Sequence, residues 1–149
     1  MTGQEKVREA RCGCGQLTIS VSGEPKTVIA CSCGFCQRRT GAVMQQCAWF
    51  VEEQVTARSG ERQTYQPPDV PSVLYHFCPE CGSTVYWDYI RLSGLYSRTL
   101  IGIGCGSFAD ADFPRPQYEC WSSKRHSWLG DVGAEGVFEE ALTDLPVID

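Results

Sequence analysis

The chain has 149 residues, 42% of them apolar and 21% charged, with a formal net charge of −5 at pH 7 and ten cysteines. That length fits one globular domain, able to bury roughly 70% of its unfolded surface without help from cross-links. The composition excludes a disordered or fibrous chain, and no run reaches the ~20 apolar residues of a membrane span. The sequence pI is about 5.0, and the only tight basic pairs are Arg38–Arg39 and Lys124–Arg125, so no basic face for nucleic acid is expected.

The opening MTGQEKVREA alternates polar and charged residues and lacks the apolar centre of a secretory leader. A cytoplasmic, reducing setting is therefore expected, where stable disulfides are rare. Ten cysteines in such a setting point to metal or redox chemistry. The alternative is a disulfide scaffold from an exported chain, which the cysteine spacings disfavour.

In chain order, residues 17–22 (LTISVS) alternate with period two and stop at Gly23-Glu24-Pro25, a strand and its turn. Thr27 to Cys31 is a short apolar run entering a cysteine cluster. Gln37 to Gly41 reads as a brief helical turn or loop. Val43 to Phe50 and Gln54 to Arg58 read as strands, with Ser59-Gly60-Glu61 as a turn. Pro67, Pro68 and Pro71 break the chain. Val73 to Phe77 runs into a cysteine pair and Thr84 to Tyr89 leaves it. Leu100 to Gly104 reads as a strand in which backbones approach closely, and Gln117 to Trp121 as a final strand. Ser122-Ser123 is placed as the cap of a short helix through Leu129. The acidic tail, residues 130–149, is expected to be partly loose. Short strands between Gly and Pro turns give a mainly β single domain over residues 1–149. Trp49, Trp87, Trp121 and Trp128 are assigned to packing.

The cysteines fall in three motifs, Cys12-Gly13-Cys14-Gly15, Cys31-Ser32-Cys33-Gly34-Phe35-Cys36 and Cys78-Pro79-Glu80-Cys81-Gly82. A C-x-x-C turn followed by Gly aims two sulfurs at one ion, and C-x-C does the same with a tighter loop. A disulfide across either spacing would be strained and would join no distant chain. A closed structural zinc takes four ligands, so Cys12, Cys14, Cys78 and Cys81 are paired as one site, worth on the order of 10 kcal/mol of folding free energy. Cys31, Cys33 and Cys36 are left as three thiolates, the arrangement of a zinc with an open fourth position. Two alternatives stay open: a second structural zinc completed by Cys47, Cys105, Cys120 or a His, or a weakly occupied triplet. Cys47, Cys105 and Cys120 are otherwise read as buried apolar thiols. Two zinc ions on seven thiolates would bring the charge to about −8, further from a nucleic-acid binder.

These motifs, together with the Cys31 to Gly41 segment, Phe77 to Ser83 and Trp121 to Trp128, resemble the glutathione-dependent formaldehyde-activating enzyme family in composition and order. The resemblance implies an Mss4-like zinc-binding β fold, with a structural zinc on Cys12, Cys14, Cys78 and Cys81. It implies a second, catalytic zinc on Cys31, Cys33 and Cys36. It also implies carbon–sulfur lyase chemistry on a small thiol adduct such as S-hydroxymethylglutathione. Beside it stands a second reading, a non-catalytic zinc-ribbon module that binds glutathione or a protein partner. Arg38 and Arg39, just after the triplet, are candidates to hold a substrate carboxylate by forked hydrogen bonds, with solvated surface charge as the alternative. Lys124, Arg125 and His126 are weaker candidates for the same cleft, and His76 reads as a structural hydrogen-bonder. Neither nucleic acid nor a membrane is expected as a partner.

Overall fold

The computed structural model describes residues 3–90, 96–143 and 146–148. In chain order its strands are β1 (Val7–Arg11), β2 (Thr18–Ser22), β3 (Thr27–Cys31), β4 (Gln45–Val51), β5 (Val55–Ser59), β6 (Gln63–Tyr65), β7 (Val73–Phe77), β8 (Thr84–Tyr89), β9 (Leu100–Gly104), β10 (Tyr118–Cys120) and β11 (Gly136–Val137). The α-helix α1 (Gly34–Thr40) joins β3 to β4. The domain is mainly β, as the sequence implied, and no described helix is long and apolar enough to cross a membrane.

The strands form a three-stranded sheet, β1-β2-β5, and an eight-stranded sheet, β11-β10-β3-β4-β9-β8-β7-β6. Most pairs are antiparallel, but β10 runs parallel to both β3 and β11. The small sheet covers one face of the large one. Ala10, Ile19 and Val21 meet Val28, Ala48, Phe50, Val85, Ile101 and Ile103 there in one core. On the opposite face Ile29, Cys47, Trp49, Tyr75, Trp87 and Leu100 form a second core. Because side chains alternate along a strand, β4 sends Ala48 and Phe50 to the first core and Cys47, Trp49 and Val51 to the second. A strand with both faces covered reads as a continuous apolar run, which is what residues 47–51 show.

The second core is roofed by Phe35 of α1, Val70 and the chain after β10, through Phe138, Leu142 and Ile148. The segment expected to be partly loose after Gly130 carries these residues. It contributes β11 beside β10, where the Trp121 N–H donates to the Glu140 carbonyl and the Phe138 N–H to the Glu119 carbonyl.

Three local expectations need correction. First, β1 lies in a stretch read only as polar. Its inward positions are Arg8 and Ala10, and a buried arginine hides the alternation; Arg8 is held by the Gly23 carbonyl and the Glu24 carboxylate. Second, α1 begins three residues before Gln37, because the Cys33 side chain acts as its N-cap. Third, the helix placed from Ser122 to Leu129 does not form. Ser122–Lys124 is a 3-10 turn with no side-chain cap, and Arg125 leaves helical geometry with ψ 135° to reach Glu119.

Candidate functional site

The first cysteine group is built by two turns. The Cys12 N–H donates to the Leu17 carbonyl and the Gly15 N–H to the Cys12 carbonyl, folding a tight loop after β1. The Gly82 N–H donates to the Cys78 carbonyl, and the Cys78 N–H to that of Ser83, between β7 and β8. Gly15 and Gly82, at φ 83° and 76°, take the left-handed conformation that a side chain resists. The Gly13 N–H donates to Ser83 Oγ at 3.1 Å and ties the turns together. All four sulfurs, of Cys12, Cys14, Cys78 and Cys81, lie within 4.8 Å of one another.

This donor set fits zinc. A tetrahedral ion with Zn–S bonds of ~2.3 Å places its sulfurs ~3.8 Å apart; Cys12–Cys14 and Cys14–Cys78 are 3.6 and 3.7 Å apart. Outer donors already face the sulfurs. The Leu17 N–H points at Cys12 Sγ (3.2 Å) and Gln16 Nε2 at Cys78 Sγ (2.9 Å).

The second group sits at the end of β3. Cys31 closes the strand, and Cys33 Sγ accepts the Cys36 N–H at 3.3 Å, so the same thiol that faces the cluster also caps α1. Gly41, at φ 70°, closes the helix by donating its N–H to the Gln37 carbonyl. The sulfurs of Cys31, Cys33 and Cys36 again lie within 4.8 Å of one another. Among the described residues no fourth Cys, His or carboxylate lies that close to all three.

Cys120 approaches this group from β10. It pairs in register with Cys31 across the parallel β3–β10 ladder, and the Ser32 N–H donates to the Cys120 carbonyl at 3.2 Å. Its thiol hydrogen-bonds Cys31, which pulls Cys31 down to about 3. Cys36 and Cys120 are each pushed up, first by their hydrogen bonds to Cys31 and then by burial. The first group divides its protons similarly. The Ser83 hydroxyl and N–H draw Cys81 down to about 5. The Gln16 N–H favours the Cys14 thiolate, but desolvation and three neighbouring sulfurs outweigh it and lift Cys14 to about 12. Crowded thiols cannot all ionise unaided, and a cation is what releases their remaining protons.

The triplet opens onto a cavity of about 360 Å³ on the second-core face, walled by Phe35, Trp49, Tyr75, Trp87, Tyr89 and Leu142 with the three cysteines and Cys120. Cys47 also reaches it, and burial lifts its thiol to about 12. Cys105 lies on the first-core face, its thiol likewise raised by burial.

Of the two arginines, Arg38 is exposed, its guanidinium lying over Gly34 at the cysteine turn. Arg39 stacks on Tyr75 at 4.4 Å and Trp87 at 5.2 Å and hydrogen-bonds Gln45. It lines a separate polar cleft with Ser83, Thr84 and Ser107. Arg125 is committed to the fully buried Glu119, and His126 to Gln37; neither lines the cavity. His76 bonds Asp88 and accepts from Arg62 on the far side of the sheet. The cavity itself, and Cys120 as the neighbour of Cys31, were not readable from spacing: 89 residues separate that pair, and only the parallel β3–β10 ladder joins them.

Comparison with curated proteins gives no match. Among solved structures, a Rhodobacter sphaeroides protein shares the fold with a TM-score of 0.51 at 21% identity, over 70% of this chain and 90% of that one. The family model for glutathione-dependent formaldehyde-activating enzymes matches residues 7–124, a span that contains both cysteine groups and ten of the eleven strands. The chain therefore belongs to the glutathione-dependent formaldehyde-activating enzyme family, with the mainly β, Mss4-like architecture described above and two cysteine groups that could hold a metal.

Proposed function

We propose that this chain is a zinc-dependent carbon–sulfur lyase that cleaves or forms a small thiol adduct such as S-hydroxymethylglutathione. One observation carries the reading: of the two cysteine groups, the one with three sulfurs forms a wall of a cavity, whereas the one with four is self-sufficient. Cys12, Cys14, Cys78 and Cys81 would hold a structural zinc. Cys31, Cys33 and Cys36 would hold a second, more easily lost. Bound there, zinc supplies the means to keep a substrate sulfur as thiolate near neutral pH.

In the cleavage direction the carbon–sulfur bond breaks and its electron pair stays on sulfur. The adduct hydroxyl loses its proton as the carbonyl forms, and the products are a thiol and an aldehyde. The chain's own part is positional. β3 and the Cys33-capped turn fix three sulfurs along the cavity wall. Arg38, exposed above the same turn, is assigned to a carboxylate of the thiol substrate. Arg39, proposed for the same role, would reach an anion only from the polar cleft, since its guanidinium is stacked on Tyr75 and Trp87. The free state of all ten cysteines suits a reducing, cytoplasmic setting.

The test is aldehyde release from S-hydroxymethylglutathione by the zinc-loaded protein, followed by NMR. Turnover by the wild type and its loss in Cys33→Ser, with the fold retained, is expected. Full activity in Cys33→Ser overturns the catalytic role of the triplet, and no aldehyde release by the zinc-loaded wild type leaves a zinc module that binds without turnover.

A further inference from the structure

The cavity beside the triplet differs chemically from what glutathione and formaldehyde require. Among the described residues its walls carry no aspartate, glutamate, lysine or arginine. Ile29, Phe35, Trp49, Val70, Tyr75 and Leu142 are among the residues that line it. Burial raises the phenol of Tyr75 to about 12 and lifts that of Tyr89 well above its ordinary value, so both stay neutral. The Tyr89 hydroxyl already accepts the Trp49 indole N–H at 2.9 Å. Arg39 does not line it: its guanidinium stacks on Tyr75 and Trp87 and hydrogen-bonds Gln45.

A glutathionyl group carries two carboxylates and an ammonium, and burying such charges without partners is strongly unfavourable. Formaldehyde has no substituent at all and would leave a space of about 360 Å³ unfilled. Small-molecule sites of this apolar kind bind the apolar part of a ligand and orient it with a few polar groups. Here the orienting groups are the triplet sulfurs and the Gln45 amide.

We infer that the adduct handled at the triplet carries a ring-sized apolar substituent beside its sulfur, seated between Trp49, Tyr75 and Leu142. This rests on the lyase reading for the site and goes further in naming the substrate class. The substituent can enter on either side of the carbon–sulfur bond, as an aryl or bulky alkyl aldehyde or as an aryl or bulky alkyl thiol. Any charged remainder of the thiol then stays outside, toward Arg38.

Calorimetry on the full, zinc-loaded chain tests this without relying on turnover. The probes are benzyl mercaptan, benzyl alcohol, 2-mercaptoethanol, S-hydroxymethylglutathione and the adduct of glutathione with benzaldehyde. Benzyl mercaptan is expected to bind at least tenfold tighter than 2-mercaptoethanol. Leu142→Asp, and independently Val70→Asp, should each reduce the ratio of the two affinities to less than twofold. Two variants are used so that misfolding of one, read from circular dichroism, leaves the other decisive. If the benzaldehyde adduct of glutathione binds at least tenfold tighter than S-hydroxymethylglutathione, the ring belongs to the aldehyde; if only benzyl mercaptan gains, it belongs to the thiol. Equal wild-type affinity for benzyl mercaptan and 2-mercaptoethanol, together with no gain for the benzaldehyde adduct, overturns the inference. So does a preference that survives in a folded variant. The two readings fail separately. Ring-dependent binding, including that of sulfur-free benzyl alcohol, with no aldehyde release from any adduct sinks the lyase reading alone. Cleavage of S-hydroxymethylglutathione with no ring preference sinks this inference alone.

Discussion

The indole of Trp87 lies directly across Gly102: a Cβ on that glycine would stand 2.1 Å from Trp87 Nε1. Trp49 on β4 and Trp87 on β8 both pair in register with Gly102 on β9, the strand between them. The bare position lets an aromatic ring fold over the middle strand and become part of the cavity wall.

Gly102→Ala must therefore displace an indole that is only 2% exposed. Overpacking of this kind costs roughly 1–3 kcal/mol. Urea denaturation should show a loss in that range, with weaker binding of ring-bearing probes. An unchanged midpoint would show that the ring moves aside freely.

The two cysteine groups should respond differently to substitution. Cys33→Ser is expected to lose one zinc per chain, read by elemental analysis, and to keep the native circular dichroism. Cys81→Ser is expected to unfold the domain, because it breaks the clamp between the β1 and β7–β8 turns. A folded, single-zinc Cys81→Ser protein would count against the structural assignment.

Acid should strip both metals, and the triplet first. Each sulfur must give up its proton to bind a cation, so affinity falls as pH falls. The triplet has one thiolate fewer with which to hold the ion. Zinc release into a colorimetric chelator, followed stepwise below neutral pH, should show two phases, with Cys33→Ser lacking the one at higher pH. A single phase unaltered in that variant would contradict the assignment.

The ion pair behind β10 makes a fourth case. Glu119 is fully buried and takes two hydrogen bonds from Arg125, at 2.7 and 2.8 Å. Removing one partner of a buried pair strands the other charge. Arg125→Ala should lower the urea midpoint more than the double replacement Arg125→Ala with Glu119→Leu. Equal midpoints would mean that water rescues the stranded carboxylate.

Arg38 and Arg39 adjoin in sequence yet should differ in effect. Arg38→Ala, at an exposed position, should raise KM for an anionic thiol adduct roughly two- to fivefold, as expected for an exposed ion pair, with kcat unchanged. Arg39→Ala should instead loosen the Tyr75 and Trp87 wall and weaken ring binding. Kinetics on S-hydroxymethylglutathione alongside probe titrations separate the two.

The legible parts of this protein are those governed by local chemistry. Cysteine pairs two or three residues apart, each followed by glycine, announce metal turns wherever the chain goes. Period-two alternation announced β2, and Val43 to Phe50 read as the strand that the structure places at β4. The misjudged parts depend on distant partners. The inward Arg8 made β1 look polar, because its charge is answered by Glu24, 16 residues away. Leu100 to Gly104 read as a strand in which backbones approach closely; the strand forms as β9, but at Gly102 the bare position makes room for an indole.

Sequence alone determined that this is a mainly β domain with two sulfur-rich sites, because ligand spacing and side-chain alternation are properties of a few consecutive residues. Only the tertiary structure decided what surrounds them. The parallel β3–β10 pairing brought Cys120 to Cys31, and the return of the chain after β10 set Leu142 against the triplet's cavity, which Phe35 of α1 also lines. An apolar cavity is made where separate strands and loops fail to fill the space between them, and no short stretch of sequence specifies that.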